Sequence, residues 1–439
     1  MPETVKRGAG KLGRRSFLLN ASSMLAWLTL GPGAGGRQAP PGTYEFINGR
    51  WFDGHGFKGG RLYSVGGLLT SKKPRRVDST LDLTGKYLIP PFGEAHNHNV
   101  EYSGNIDALL GRYIQDGIFY VKNPNNLPRA TAPLRGKVNI RGSIDVTFAN
   151  GGLTASGGHP LGVVRRNIER GGMTAADGDG GFYFIIDNPS DLERKWGQIL
   201  AGKPDFIKTY LLYSEEYAKR RDDEAYFAWK GLDPALLPEI VRRAHGAALR
   251  VSTHVETATD FHHAVAAGVD ELNHTPGFRT DGKSALARYA IAEADARLAA
   301  RKRVVVVTTL VSAIDTALQK QAGGHMQAGG LRDLLVDNLR LLKKHGVPIA
   351  VGSDSYRQTS LAEALNLHRL GVFDNGELLR MWCQTTAATI FPQRRIGHLK
   401  QGYEASFLVL GEDPIRDFTA VQRIERRFKQ GEFLTSPAG

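Results

Sequence analysis

The stretch Leu88–Glu101, "LIPPFGEAHNHNVE", is an apolar run that ends in a carboxylate and two histidines set one residue apart. Alone it admits two readings: His96 and His98 hold a metal ion, or they are polar residues where a strand meets a loop. The rest of the chain repeats the pattern. From residue 87 onward, short β-branched or apolar runs alternate with helical patterns, the signature of βα units around a parallel sheet. Strands are expected near 87–96, 117–123, 143–148, 205–210, 249–254, 269–274, 303–309 and 347–353. Helical stretches lie between them, such as "DLERKWGQILAGK" (191–203), "DPALLPEIVRRAHGAA" (233–248) and "TDFHHAVAAGV" (259–269). Eight such units predict an α/β fold of the (β/α)8 TIM-barrel type, with its active site at the C-terminal ends of the strands. The glycine-rich region 149–190 reads as an active-site loop or insertion.

Four further strand ends carry polar groups. "PDFIKTYLLY" holds Lys208, "LRVSTHVET" ends in His254, "GVDELNHTPG" in His274 and "VPIAVGSDSY" in Asp354. A barrel brings such ends to one mouth, so these four and His96 and His98 are expected to face a common pocket. Imidazole nitrogen and carboxylate oxygen suit zinc, iron, manganese or nickel. Lys208 is the odd member, because an ammonium has no lone pair to give a metal. It joins a metal site only if deprotonated and carbamylated by CO2; otherwise it is a substrate-binding or salt-bridging cation.

Outside this series, residues 43–86 and the tail from "GHLKQGYEASFLVL" alternate like short strands with turns. The segments 40–86 and 396–439 are expected to pair into a small β-sandwich beside a barrel spanning 87–395. Residues 1–39 differ again: a basic region, a mostly apolar run from Phe17 to Leu30, then small residues and prolines. That is the layout of a secretory signal peptide. Its Arg14-Arg15-Ser16-Phe17-Leu18 core resembles a twin-arginine export signal, which implies the twin-arginine export machinery as a partner and a periplasmic or secreted location.

The net charge of +13 is inflated by this segment, which holds six of the 57 Lys/Arg and one of the 44 Asp/Glu, leaving +8 for the rest. The remaining cations are scattered, without a helix-long stripe or interleaved aromatics, so no nucleic-acid partner is expected. The single cysteine, Cys383, excludes an intrachain disulfide; it lies in the helical pattern "GELLRMWCQTTAATIF" and reads as core.

Taken together, "PPFGEAHNH", "DFIKTY", "STHVE", "ELNHTPG", "VGSD" and the C-terminal "TTAATIFPQRRIGHLKQGYEASFLVLGEDPI" resemble the amidohydrolase superfamily, over about residues 43 to 434. "ASGGHP" (155–160) and the strand-four lysine look closest to its imidazolonepropionase-like and prolidase-type branch. The resemblance implies a metal-dependent hydrolase of amide or peptide C–N bonds, acting on a small molecule or peptide. Its cofactors would be two divalent metal ions, zinc above all, and a CO2-derived carbamate on Lys208. His96, His98 and Asp354 would hold one ion and His254 and His274 the other, with Lys208 and a hydroxide bridging them. Asp354 would take the proton of the attacking water and pass it to the leaving group. His159 would be a substrate or oxyanion contact, and Tyr210 a lining residue. Arg357, three residues after Asp354, is the cation read as a substrate carboxylate clamp. Two positions depart from the family pattern: Glu94 stands where an Asp is common, and Ser406 replaces an acid in the tail. Two other readings stay open, opening of a lactone or cyclic amide at the same site, and a catalytically silent barrel that only binds.

Overall fold

Two consecutive prolines, Pro90 and Pro91, decide how the chain enters its parallel sheet. Neither has an N–H to give a ladder, and the single strand expected over 87–96 is two, Tyr87–Ile89 and Phe92–Glu94. The first pairs with Tyr44–Phe52 and with Phe407–Leu410 in a sheet built from both ends of the chain. The second pairs in parallel with Ile118–Asn123, which pairs in turn with Asp145–Phe148. The computed structural model describes residues 41–101, 105–313 and 328–434. The export signal expected over residues 1–39 lies outside them. Among the described residues no helix is long and apolar enough to cross a membrane.

The larger parallel sheet has seven strands, in the order Tyr183–Ile185, Gly152–Thr154, Ile207–Tyr210, Val251–His254, Glu271–Asn273, Val305–Thr308 and Ile349–Val351. Outside the edge strand Tyr183–Ile185, which is half-buried, their β-branched and apolar residues are buried, as in parallel strands covered on both faces. Backbone bonds join the two parallel sheets at two places: Ala95 N donates to Val351 O, and Asp205 N to Phe148 O, each over 2.9 Å. The region 149–190 is more than a loop. It supplies two strands of the larger sheet, Gly152–Thr154 and Tyr183–Ile185, and the helix Leu161–Glu169 between them. Strands of three residues are too short for their alternation to show against a glycine-rich background.

The helices between strands follow the expected pattern, and one illustrates how they position the mouth. Ala258–Ala267 opens on a capping box between Thr257 and Asp260 and ends at Gly268, whose φ of +87° a side chain would resist. It buries Phe261, Ala264 and Val265. Asp260 also accepts from Tyr213 N (3.0 Å) and Ser214 N (2.8 Å), so one carboxylate caps a helix and holds the turn that follows Ile207–Tyr210.

Both ends of the chain meet in a mixed eight-stranded sheet, ordered Glu432–Leu434, Ile424–Lys429, Phe407–Leu410, Tyr87–Ile89, Tyr44–Phe52, Phe57–Val65 and Leu68–Thr70, with Ser79–Asp82 also on Tyr44–Phe52. Leu69 N donates to Tyr403 O and Ala405 N to Gly67 O, both at 2.8 Å, so the far hairpin returns to the chain just before Phe407. This curls the sheet around Phe46, Trp51, Leu88, Phe407 and Phe428. Phe46 and Phe407 meet edge to face at 5.0 Å, the arrangement that ring quadrupoles favour.

Trp382 lies flat on Phe92, centroids 3.5 Å apart and planes within 4°, and donates through Nε1 to Gly93 O at 3.0 Å. The helical run 375–390 is thereby fastened under the strand that leads to His96 and His98. Cys383, next to Trp382, is fully buried and burial pushes its thiol up. It is a core residue.

Candidate metal centre

Six groups read from the strand ends come together: His96, His98, Lys208, His254, His274 and Asp354 all line one cavity of about 360 Å³. His96 and His98 present their Nε2 atoms to Asp354 Oδ1, each at 3.6 Å. Donor atoms of these three lie within 4.8 Å of one another, the spacing of ligands around one ion. The other two histidines adjoin them, with ring centroids 4.7 Å apart for His96 and His274 and 4.6 Å for His254 and His274. All donors are hard or borderline nitrogen and oxygen, a set that fits a divalent transition ion. His96 Nδ1 is buried with no hydrogen-bond partner among the described residues.

Local structure explains why these side chains point inward. Asp354 and His274 both have left-handed backbones, φ +47° and +75°, uncommon for residues with a Cβ and typical of turns that re-aim a functional group. Asp354 N donates to His96 O at 2.8 Å, and His274 N to Val307 O at 3.1 Å. Gly352 permits the approach, since a Cβ there would sit 2.8 Å from His96 N. Gly152 does the same for the lysine: a Cβ there would lie 2.6 Å from the Tyr210 ring and 3.2 Å from Lys208 Cγ.

Three of these histidines, His98, His254 and His274, have one nitrogen engaged from behind, which orients the ring as a ligand histidine requires. His98 Nδ1 is 3.1 Å from Asn125 O and His274 Nδ1 is 2.7 Å from Thr309 Oγ1, leaving Nε2 for the cavity in both. His254 is reversed: Nε2 meets Glu256 Oε1 at 2.9 Å, leaving Nδ1. Burial holds all these imidazoles below their ordinary range, His98 at about 4, so each keeps a neutral ring with a lone pair. Burial pushes the Asp354 carboxyl up to about 7, against the pull of Lys208 and Arg279.

Lys208 is buried, and desolvation brings its ammonium down to about 7. Its Nζ donates to Asn273 Oδ1. Behind Asn273, Ser252 Oγ donates to Glu271 Oε1 at 2.8 Å, and Lys122 Nζ to Glu271 Oε2 at 2.7 Å. Glu94 lies outside the ligand cluster. It is fully buried, accepts from Ser353 N (2.7 Å) and Ser353 Oγ (2.8 Å), and is pushed up to about 8 by burial.

Of the residues read as substrate contacts, His159 and Tyr210 line the cavity, their rings 5.2 Å apart. Arg357 is exposed and not among the lining residues; its carbonyl accepts from Arg112. The turn at Asp354 carries the chain away before residue 357, and the arginines that do line the cavity are Arg166 and Arg279. Arg279 lies over the Trp229 ring at 4.9 Å, with Nη1 3.5 Å from His159 Nδ1. Sequence reading passed over both arginines, along with Asn273 and Glu256. Glu256 had a visible signal, two residues beyond His254 on the same strand end; the arginines had none among so many scattered cations.

The Amidohydrolase family pattern matches residues 209–427. Among solved structures, the crystal structure of an amidohydrolase superposes with a TM-score of 0.69 at 18% identity, over 90% of this chain and 100% of its own. A prolidase complexed with N-methylphosphonate-L-proline gives 0.67 at 19% identity, over 90% and 99%. The ochratoxinase of A. niger gives 0.69 at 18% identity, over 91% and 97%. At such identities the likeness is one of fold. No curated protein matches the chain in sequence.

Proposed function

We propose that the chain, which belongs to the amidohydrolase superfamily, is a metal-dependent hydrolase that cleaves the C–N bond of an amide or peptide at the cavity beneath His98 and Asp354. The observation that carries this is the meeting of His96, His98 and Asp354 donor atoms within 4.8 Å, in the same cavity as Lys208, His254 and His274. The parallel strands are read as one closed (β/α)8 barrel and the curled end sheet as its companion sandwich, which would place the site at the strands' C-terminal ends. The solved relatives of the same fold include a prolidase and an ochratoxinase.

In this reading His96, His98 and Asp354 would hold one divalent ion, and His254, His274 and a carbamylated Lys208 would serve a second. Bound there, divalent metal would lower the pKa of water toward neutrality and polarise the substrate carbonyl. The chain's own groups do the rest. Asp354, beside His96 and His98 on the cavity wall, would accept a proton from water and return it to the leaving nitrogen. Tyr210, buried on the cavity wall, and His159, half-buried beside it, supply donors for the carbonyl oxygen. Phe278, stacked on His274 at 3.7 Å, keeps bulk water from that face. Asn273 fixes Lys208 Nζ.

The test is a screen of zinc-loaded protein, prepared with bicarbonate, against dipeptides, N-acyl amino acids and lactones, reading released amine or acid. Turnover of amides, lost in Asp354→Asn, supports the reading. Turnover of lactones alone, or none by a protein holding its metal, would replace it.

A further inference from the structure

The cavity at the metal centre has a second lobe. A cavity of about 320 Å³ adjoins it, sharing His98, Val163, Arg166, Phe182 and Tyr356, so the two form one elongated cleft. One wall of the outer lobe is a single helix face: Val163, Arg166, Asn167 and Arg170, at spacings of three, four and seven along Leu161–Glu169 and its C-cap. The other side of that helix is anchored. Val164 is buried with Leu127, Met173 and Phe182, and the Arg165 guanidinium sits 3.6 Å over the Phe227 ring. The face toward the cleft is therefore held in place.

Its charge is unbalanced. Arg166 and Arg170 are exposed and neither forms an ion pair among the described residues. The acid lining this lobe, Glu101, is buried and its Oε1 accepts from Leu127 N at 2.8 Å. Where the two lobes join, Val163 and Phe182 supply apolar surface between the metal centre and Arg170. We infer that the outer lobe binds a carboxylate of the substrate through Arg166 and Arg170, separated by an apolar segment from the bond cleaved at the metal centre. From Val163, which also lines the metal-centre cavity, to Arg170 the helix advances roughly 10 Å, a span that about three extended residues cover. The favoured substrate is then an acylated peptide about three residues long with an apolar interior and a free terminal carboxylate. This rests on the hydrolase reading and adds to it where the far end of the substrate goes.

The experiment compares N-acyl tripeptides of apolar residues that end in a carboxylate with the same peptides ending in a carboxamide. Both kcat/KM and calorimetric affinity are measured on metal-loaded protein. The carboxylate form is expected to be favoured about tenfold, through KM rather than kcat. That preference should shrink as salt is raised and approach unity in Arg166→Gln/Arg170→Gln. Equal handling of the two peptides, or a preference that survives the double substitution, overturns the inference. If neither peptide is cleaved, the hydrolase reading fails for this substrate class, while the affinities still decide what the arginines recognise.

Discussion

Ser353 gives both its donors to one buried carboxylate: its backbone N–H lies 2.7 Å from Glu94 Oε1 and its hydroxyl 2.8 Å from Glu94 Oε2. Residues 259 apart in sequence are thus clamped, and the clamp holds Asp354, next in the chain, against His96 two residues after Glu94. Glu94→Ala would leave two buried donors unpaired, at a cost of about 1–3 kcal/mol each. We expect metal affinity to fall about 10- to 100-fold, with Glu94→Gln intermediate, because an amide oxygen still accepts from one donor. Chelator competition and thermal melts on the three proteins measure this; equal metal affinity in Glu94→Ala would disprove the clamp's role.

Lys208→Ala removes the group proposed to lie between the two ions. Metal analysis should show a drop from about two ions per chain to one or fewer, and turnover should fall at least about a hundredfold. A purified Lys208→Ala protein with full metal content and full turnover would rule out the two-ion site.

The same lysine sets a pH dependence. Burial depresses its ammonium to about 7, and only the neutral amine can attack CO2. In metal-free protein the carbamate should therefore be absent well below pH 7 and grow as pH rises through about 7, where an ordinary lysine would stay protonated until far higher. Isotope-labelled bicarbonate and carbon NMR would follow it. Carbamate at pH 5 equal to that at pH 8 would contradict the assignment.

Gly152→Ala tests whether the packing beneath Lys208 matters to the site. The added Cβ falls 2.6 Å from the Tyr210 ring, so the ring or the strand must move. Overpacking of this kind costs about 1–3 kcal/mol, visible as a lower melting temperature. Displacement of Tyr210 and Lys208 should also lower turnover by more than the loss of folded protein explains. Unchanged activity per folded molecule would show that the site tolerates the shift.

Much of this molecule is decided locally. Strand-length, largely apolar runs that carry His96, His98, His254, His274 and Asp354 at or just past their ends, and Lys208 inside one of them, are properties of the sequence, because burial on both faces favours hydrophobic residues along a strand. The alternation at both chain ends is equally local, as is the capping box at Thr257. Even the break between Tyr87–Ile89 and Phe92–Glu94 was written in Pro90 and Pro91, though the apolar character around them masked it.

What the chain could not announce is whatever depends on distant segments meeting. Glu94 finds Ser353, Lys208 finds Asn273, and Arg166 joins the cleft while Arg357, nearer to Asp354 in sequence, stays outside it. The physical reason is range. Strand and helix patterns follow from steric and hydrophobic preferences over a few residues, whereas the partner of a buried polar group is chosen by sheet closure and by turns such as the left-handed one at Asp354. The sequence by itself determined which side chains stand at the strand ends; only the tertiary structure decided which of them share a cavity, and what holds each one there.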